Sequence, residues 1–589
     1  MEKEVAPTTT PLESTDVVEP KDRLLEMDHT ASPPCDLPVF EYACAACCGV
    51  TVLGLVISCC GVTVLGLVIF IIHLATNSFS FHQPNYSPKV RTRAGLTQGV
   101  RLAIGSDTVF AFYAIPYAEP PLQTARFQLP TPARFWPGQL EATSKAAPCV
   151  QQPLSRKPAN LTHDFTEDCL HLNIWTPGLD GKKLHPVVVI LHGGGFTQGS
   201  NSLDQYDGAQ FSKRAASVVV VPNYRLGVFG FLFGNISAIP GNQGLWDQQQ
   251  VLHWVRANID NFGGDPDLVT LWGVEAGAVC AGLHLLSEKS RPLFQRIVLQ
   301  GGSPFSRLGD NYYSGPDKVD ALARAICGRP LSSNISQVLN CLQNALPTQL
   351  VAVPVQDAFR RTLSPYVPTF GDDLLPGDPM SFLSKRRLPH TDVLLGFTSN
   401  EGTNLFRVFL EQSYEEPWMS LSPEKYREAA SALLTFLFGV DVLEAENLHS
   451  SPAFPKSNRE VFTYYAALVG KALFKCPIFF LATLAAKEGR VFMYEYELIE
   501  NTDDSMGVQE NIDFPLAFGT ASGVSSIAAP HALKLQEALT EFIRYGIVNW
   551  QQYTSNESQV MHFQQQISSV TRTKLATECD IYRKYHATS

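Results

Sequence analysis

The stretch "DLVTLWGVEAGAVCAGLHLLS" (267–287) reads as strand, sharp turn, helix. An apolar run ends at Gly273-Val274-Glu275-Ala276-Gly277, and small apolar residues continue beyond it. Two further runs have the character of buried strands: "HPVVVILHGGGF" (185–196), which ends in a glycine cluster, and "SVVVVPNYRL" (217–226). Between them and the first stretch, "GLWDQQQVLHWVRANI" (244–259) carries apolar residues at helical spacing. Strands separated by helices predict an α/β fold, a mainly parallel central sheet flanked by helices.

The composition is that of a globular protein, 45% hydrophobic and 17% charged over 589 residues. A net charge of −11 and the absence of long Lys/Arg runs argue against nucleic acid as a partner. Thirteen cysteines fall into two sets. Cys35, Cys44, Cys47, Cys48, Cys59 and Cys60 precede residue 61; Cys149, Cys169, Cys280, Cys327, Cys341, Cys476 and Cys579 are spread through the remainder. The wide spacing of the second set points to disulfides rather than zinc, and no metal or cofactor is expected.

Residues 1–41 are rich in Pro, Thr, Asp and Glu and have few large apolar groups, so a disordered tail is predicted. Residues 43–74 contain no Asp, Glu, Lys or Arg. Their apolar part, Gly49 to Ile72, spans roughly 36 Å as a helix, enough for a bilayer. A cleaved signal peptide wants a short basic start, whereas an acidic stretch of about forty residues comes first. An N-terminal single-pass transmembrane helix, a signal-anchor over 42–74, is therefore predicted, with a juxtamembrane linker over 75–87. The anchor contains a direct repeat, "CCGVTVLGLVIS" (47–58) and "CCGVTVLGLVIF" (59–70). Its glycines are not at G-x-x-x-G spacing, so the repeat reads as lengthening rather than a dimer face. Cys44, Cys47 and Cys48 suit either S-palmitoylation or plain apolar filling.

The positive-inside rule does not fix the orientation. No Lys or Arg lies between Arg23 and Lys89, and three basic residues follow at Lys89, Arg91 and Arg93. Sequons at Asn85, Asn160, Asn235, Asn334 and Asn556 all lie after the anchor, and the spaced cysteines want an oxidising compartment. The expected topology is type II: tail in the cytosol, residues 88–589 lumenal or outside, with the plasma membrane as destination.

From about residue 88 the chain resembles the carboxylesterase/cholinesterase family of α/β-hydrolases. The resemblance is carried by "AIPYAEPP" (114–121), "RFQLP" (126–130), "EDCLHLNIWTP" (167–177), "LHGGGF" (191–196), "NYRLGVFGFL" (223–232), "GNQGLWDQQQVLHWVRANIDNFGGDP" (241–266), "HLLS" (284–287), "NEG" (400–402) and "FKCP" (474–477), in the family's order. It implies the α/β-hydrolase fold and the disulfides Cys149–Cys169, Cys327–Cys341 and Cys476–Cys579. Cys280 is left over and reads as a buried small residue. Arg126 and Glu167 match an ion pair that reads as structural.

Acyl transfer in this family needs a serine on a strained turn, a histidine, a carboxylate and backbone N–H groups for the oxyanion. The oxyanion loop matches Gly193, Gly194 and Gly195, and the carboxylate matches Glu401 in "GFTSNEG". Where the family has Gly-Glu-Ser-Ala-Gly-Ala, this chain has Gly273-Val274-Glu275-Ala276-Gly277-Ala278. Aligning Gly507-Val508 and Phe518-Gly519 of "MGVQENIDFPLAFG" (506–519) without a gap puts Glu510 on the histidine, and no His lies between His449 and His531. The resemblance thus implies a degenerate site in which Glu275, Glu401 and Glu510 share one pocket. Three readings of that pocket stay open: shared protons or a cation among the carboxylates, Glu275 pointing into the oxyanion donors, or side chains with no common arrangement. The loop 149–169 has no Trp to receive a quaternary ammonium.

Anchor, secretory-side domain and altered triad together resemble the cholinesterase-like adhesion proteins, the group of neuroligins, neurotactin and gliotactin; the N-terminal anchor is like neurotactin's. The expectation is a catalytically inactive membrane protein that binds partner proteins at the cell surface. A homodimer through "LQEALTEFIRYGIV" (535–548) or the segment near 575–585 is part of it. The alternatives are a hydrolase with an unusual acidic site at Glu275 and a noncatalytic small-ligand carrier.

Overall fold

The computed structural model describes residues 85–579 apart from 152–164, 182, 309–314, 354–363, 386, 440, 449–456, 499–507, 509, 565–568 and 573–577. The predicted tail and anchor, Asn160 and most of 575–585 lie outside the described residues.

In chain order the strands are β1 (Tyr86–Arg91), β2 (Leu96–Ile104), β3 (Asp107–Pro116), β4 (Gln139–Glu141), β5 (His171–Thr176), β6 (His185–Leu191), β7 (Val218–Pro222), β8 (Phe233–Ile236), β9 (Ile239–Pro240), β10 (Gly264–Val274), β11 (Arg296–Gln300), β12 (Asp392–Thr398), β13 (Val491–Tyr496), β14 (Gln559–Phe563) and β15 (Ser569–Arg572). All but the small β8–β9 pair join one sheet in the order β1-β2-β3-β5-β7-β6-β10-β11-β12-β13-β14-β15, with β4 beside β2. The mainly parallel reading holds for its middle: every pair from β7 to β14 is parallel. The margins correct it. β1, β2, β3, β5 and β7 pair antiparallel in succession, as do β14 and β15, so the sheet as a whole is mixed. Tyr86 already pairs with Val100, so the domain begins inside the segment read as a linker.

The middle strands are apolar throughout because both of their faces are covered. Alternate residues serve two cores. Val187, Val189 and Leu191 of β6 and Leu271 of β10 face one, with Val251 and Leu252 of helix α1 (Gln243–Asn258) and Ala278 and Leu283 of α2 (Ala276–Leu286). Val188, Ile190, Trp272 and Val274 face the other. Helices α3 (Thr403–Ser413), α4 (Asp513–Phe518) and α5 (Ala528–Tyr545) follow later in the chain. Phe514 and Phe518 of α4 and Leu535, Leu539 and Phe542 of α5 complete the second core.

Among the described residues one continuous helical run, Asn458–Ala485, is long and apolar enough to cross a membrane; 72% of its most apolar window is buried in the domain, as suits a core helix.

Three disulfides join Cys149 to Cys169, Cys327 to Cys341 and Cys476 to Cys579. Cys280 is buried on α2, and burial pushes its thiol up to about 12. Arg126 grips Glu167 with two hydrogen bonds (2.7 and 2.5 Å) and also donates to the carbonyls of Leu342 and Ala345, beside the Cys327–Cys341 loop. A second forked pair, Arg225 with Asp247, has both side chains at 3% exposure or less and ties the loop after β7 to α1. Asn85, Asn235, Asn334 and Asn556 are all exposed.

The Cys476–Cys579 bridge spans 103 residues and ties Cys579 to the start of a core helix. Loop-closure entropy for that span leads to a definite expectation: Cys476→Ser/Cys579→Ser should lower stability by roughly 3–5 kcal/mol, read from urea denaturation.

Candidate functional site: an elbow, a glycine loop and three carboxyls

Parallel pairing aligns the carboxyl ends of β6, β10, β11, β12 and β13; the glycine loop follows β6, Glu275 follows β10, Glu401 follows β12 and Glu510 comes after β13. The chain leaves β10 at Val274 and enters α2 at Ala276, so one residue makes the turn. That residue, Glu275, sits at φ 53° and ψ −116°, a conformation L-residues rarely adopt. Its N–H donates to the Gln300 carbonyl (2.7 Å), and its carbonyl accepts from Ala278 (2.9 Å) and Val279 (3.1 Å). The flanking glycines are needed for room. A Cβ on Gly273 would stand 2.2 Å from the Gly277 carbonyl oxygen, and one on Gly277 would stand 2.1 Å from that of Leu191.

The glycine loop leaves β6 beside this turn. Gly194 (φ 125°) and Gly195 (φ 59°) turn their amides inward, forming a concave donor pair. Glu275 fills it: both N–H groups donate to its Oε2, Gly195 at 3.1 Å and Gly194 in a shorter contact. The remaining amide, Gly193, donates to the Tyr206 hydroxyl at 3.0 Å. All three loop donors are therefore occupied by the protein itself, and Glu275 is only 7% exposed.

Below the loop, His192 stacks on Tyr224 at 4.3 Å. Burial brings its imidazole down to about 4, so the ring is neutral, with Nδ1 against the Gly193 carbonyl at 3.0 Å. Burial also raises the Tyr206 and Tyr224 hydroxyls above their ordinary value.

Glu401 follows β12. Its Oε1 accepts from the Thr398 N–H (2.7 Å) and hydroxyl (3.2 Å), while Oε2 is buried without a partner among the described residues. Burial, then the charge of Asp513, pushes the carboxyl up to about 8, against the Thr398 hydrogen bonds and Lys475. Glu510 is half-buried as a residue, but its Oε1 is inaccessible and likewise unpartnered. Burial foremost, then the charges of Glu401 and Glu275, hold it well above the ordinary carboxyl range; the N–H groups of Gly402 and Leu405 pull the other way. The aligned glutamates thus interact, and Asn511 (φ 64°) joins them. A Cβ on Gly301 would lie 3.2 Å from Asn511 Oδ1 and 3.6 Å from each Glu401 oxygen.

A polar network beneath this group was not read from the sequence. Asp513 Oδ2 accepts from Gln300 Nε2 (2.8 Å) and the Tyr494 hydroxyl (2.6 Å), and Gln300 Oε1 accepts from Trp272 Nε1 (2.6 Å). Gln300 also receives the Glu275 amide on its carbonyl, so it links the network to the elbow. Tyr206 was missed as well. The cue available for Asp513 was an acid three residues after Glu510 in an otherwise apolar run.

A parallel-centred sheet with a strained strand-to-helix turn at the carboxyl end of a middle strand defines an α/β-hydrolase. The chain belongs to the carboxylesterase family, whose sequence profile matches residues 86–582. It is 31% identical to the acetylcholinesterase-1 of Trittame loki over 533 residues, covering 85% of this chain and 94% of that one. It is 28% identical to the acetylcholinesterase of Leptinotarsa decemlineata over 84% and 85% of the two chains. The match to the acetylcholinesterase of Bungarus fasciatus is 38% identical and spans about half of each chain, 54% and 53%.

Two outcomes are expected from this geometry. Glu275→Ala strips the acceptor from two buried N–H groups and should destabilise by roughly 1–3 kcal/mol, with Glu275→Gln losing less, both read from urea titrations. Glu401 has a folded-state value raised from 4.5 to about 8, so its stabilising contribution is complete below about 4.5 and is lost as pH rises towards 8. Glu401→Gln should flatten that decline and be the more stable protein at pH 8, by roughly 1–3 kcal/mol, in melting curves across the window.

Proposed function

We propose that this chain is a non-catalytic, membrane-anchored member of the carboxylesterase family whose large domain binds partner proteins on the outer side of the membrane. One observation carries the reading: Glu275 Oε2 occupies the donors of Gly194 and Gly195. An esterase needs those donors vacant for the developing oxyanion, and loss of one such donor typically costs about 10²–10³ in rate. A carboxylate tethered to the neighbouring turn competes with any substrate at high effective concentration. Use of Glu275 as a nucleophile would require it to leave both N–H groups. It would also require a base at the family's histidine position, where Glu510 stands instead. The small-ligand reading is disfavoured because the protein's own side chains fill the loop donors.

The apolar run 43–74 supports a type II anchor. The exposed sequons at Asn85, Asn235, Asn334 and Asn556 and the three disulfides support a secretory-side domain at the plasma membrane. Partner binding and adhesion rest on the resemblance to cholinesterase-like adhesion proteins, an analogy of family rather than of site. A homodimer would draw on α5, where Leu533 and Tyr545 are exposed beside Ile527 and Ile547.

The test is turnover by the purified full-length protein on short acyl esters, including a choline ester. No hydrolysis above background is expected, with no change in Glu275→Ala and a gain only in the double variant Glu275→Ser/Glu510→His. Turnover that Glu275→Ala abolishes would sink the proposal and establish the acidic-site hydrolase.

A further inference from the structure

We propose that Glu495, Glu497 and His562 form a divalent-cation site, suited to Zn²⁺, at the carboxyl ends of β13 and β14. Parallel pairing sets Glu495 opposite His562, and the Glu497 N–H donates to the Phe563 carbonyl at 3.0 Å. Strand side chains alternate, so Glu495 and Glu497 continue the face of Val491 and Met493, and His562 continues that of Val560. The three side chains thus cap the first core where its apolar residues end. The sequence shows no metal-ligand spacing here because the two strands bring together residues 65 positions apart.

Each of the three residues offers one ligand atom, and these atoms lie within 4.8 Å of one another. His562 Nδ1 faces two carboxylates: it bonds Glu497 Oε1 in a short contact and lies 3.5 Å from Glu495 Oε2. Nδ1 carries at most one hydrogen, which serves only one of them. A tetrahedral Zn²⁺ with bonds of about 2.0–2.2 Å sets its ligands roughly 3.3–3.6 Å apart. That is the separation Nδ1 already has from Glu495 Oε2, so only Glu497 has to back away from the imidazole.

The donors behind the ligands distinguish this group from a chance meeting of acids. Glu495 Oε1 accepts from the Lys475 ammonium (2.9 Å), and Glu497 Oε2 accepts from Gln564 Nε2 (3.0 Å). Each carboxylate is held from behind by one oxygen while its other oxygen is turned to His562. Outer donors of this kind orient the ligands of a metal site. Lys475 is itself fixed, donating to the Ser399 carbonyl (2.8 Å) and lying over the Phe397 ring. Burial raises the Glu497 carboxyl, but the hydrogen bonds from His562 and Gln564 outweigh it and bring the group below its ordinary value, so it is ionised at neutral pH. Two carboxylates against one ammonium favour a divalent cation. One imidazole with two carboxylates suits Zn²⁺ better than Mg²⁺ or Ca²⁺, which take oxygen shells. Three protein ligands leave a fourth position for water, and Glu497, its side chain 25% exposed, opens the site to solvent. The ion takes the place of the Nδ1 hydrogen, and the imidazole keeps its hydrogen on Nε2. The site shares no residue with the elbow pocket and holds whether or not that pocket is catalytic.

The test is a Zn²⁺ titration of the full-length protein, its free thiols alkylated with N-ethylmaleimide, in competition with a chromophoric chelator. The wild type should bind one equivalent at micromolar affinity or tighter that His562→Ala and Glu497→Gln each lose or weaken at least about tenfold. Either variant suffices should the other fail to fold. Crystals soaked in Zn²⁺ should show an anomalous peak between the three side chains. Equal stoichiometry and affinity in the wild type and the folded variants, or no peak between those side chains, would overturn the proposal.

Discussion

Two backbone amides, those of Gly194 and Gly195, meet one carboxylate oxygen of Glu275, and the pocket is organised around that contact. The amides face inward because their glycines adopt positive φ, and the carboxylate reaches them because the elbow residue is held at φ 53°. Strain at one turn and an inward donor pair at another are each unfavourable alone. Joined by charge-assisted hydrogen bonds, each gives the other its partner. The parallel register of β6 against β10, with Leu191 opposite Gly273, sets the two turns side by side.

The acids around that contact divide the burden differently. Glu275 is supported by two N–H groups, whereas Glu401 has the Thr398 donors on one oxygen and Glu510 the N-terminal amides of α3. Carboxyls packed this closely in a low-dielectric interior do not all carry charge. Burial is the foremost cause of the upward shifts of Glu401 and Glu510, and the donors that each reaches oppose it. Asp513 stays in the core because Tyr494 and Gln300 donate to it, and the same Gln300 fastens the elbow.

Much of this was legible in the sequence where the constraint is local. Gly273 and Gly277 signal a turn without space for a Cβ, and the apolar runs at 185–191 and 217–222 signal doubly covered strands; the contact of Glu275 with the glycine loop was one of three readings that the sequence left open. The antiparallel margin was not legible. β2 and β3 mix polar and apolar residues because one of their faces is less covered, so they lack the continuous apolar signature of the middle strands. Tyr206 could not be assigned to Gly193, since their hydrogen bond depends on how a thirteen-residue excursion folds back. Glu510 and Glu401 were matched to the family's positions by alignment, and that each buries an oxygen without a partner among the described residues was not legible in the sequence.

The occupied donor pair is tested most directly by a crystal structure of the protein at a resolution that fixes the Glu275 carboxylate. The expected result is continuous density for the side chain with Oε2 within hydrogen-bonding distance of both Gly194 N and Gly195 N, and no water or ion between them. Density showing Glu275 turned away, with a water or a small anion seated on the two amides, would contradict it.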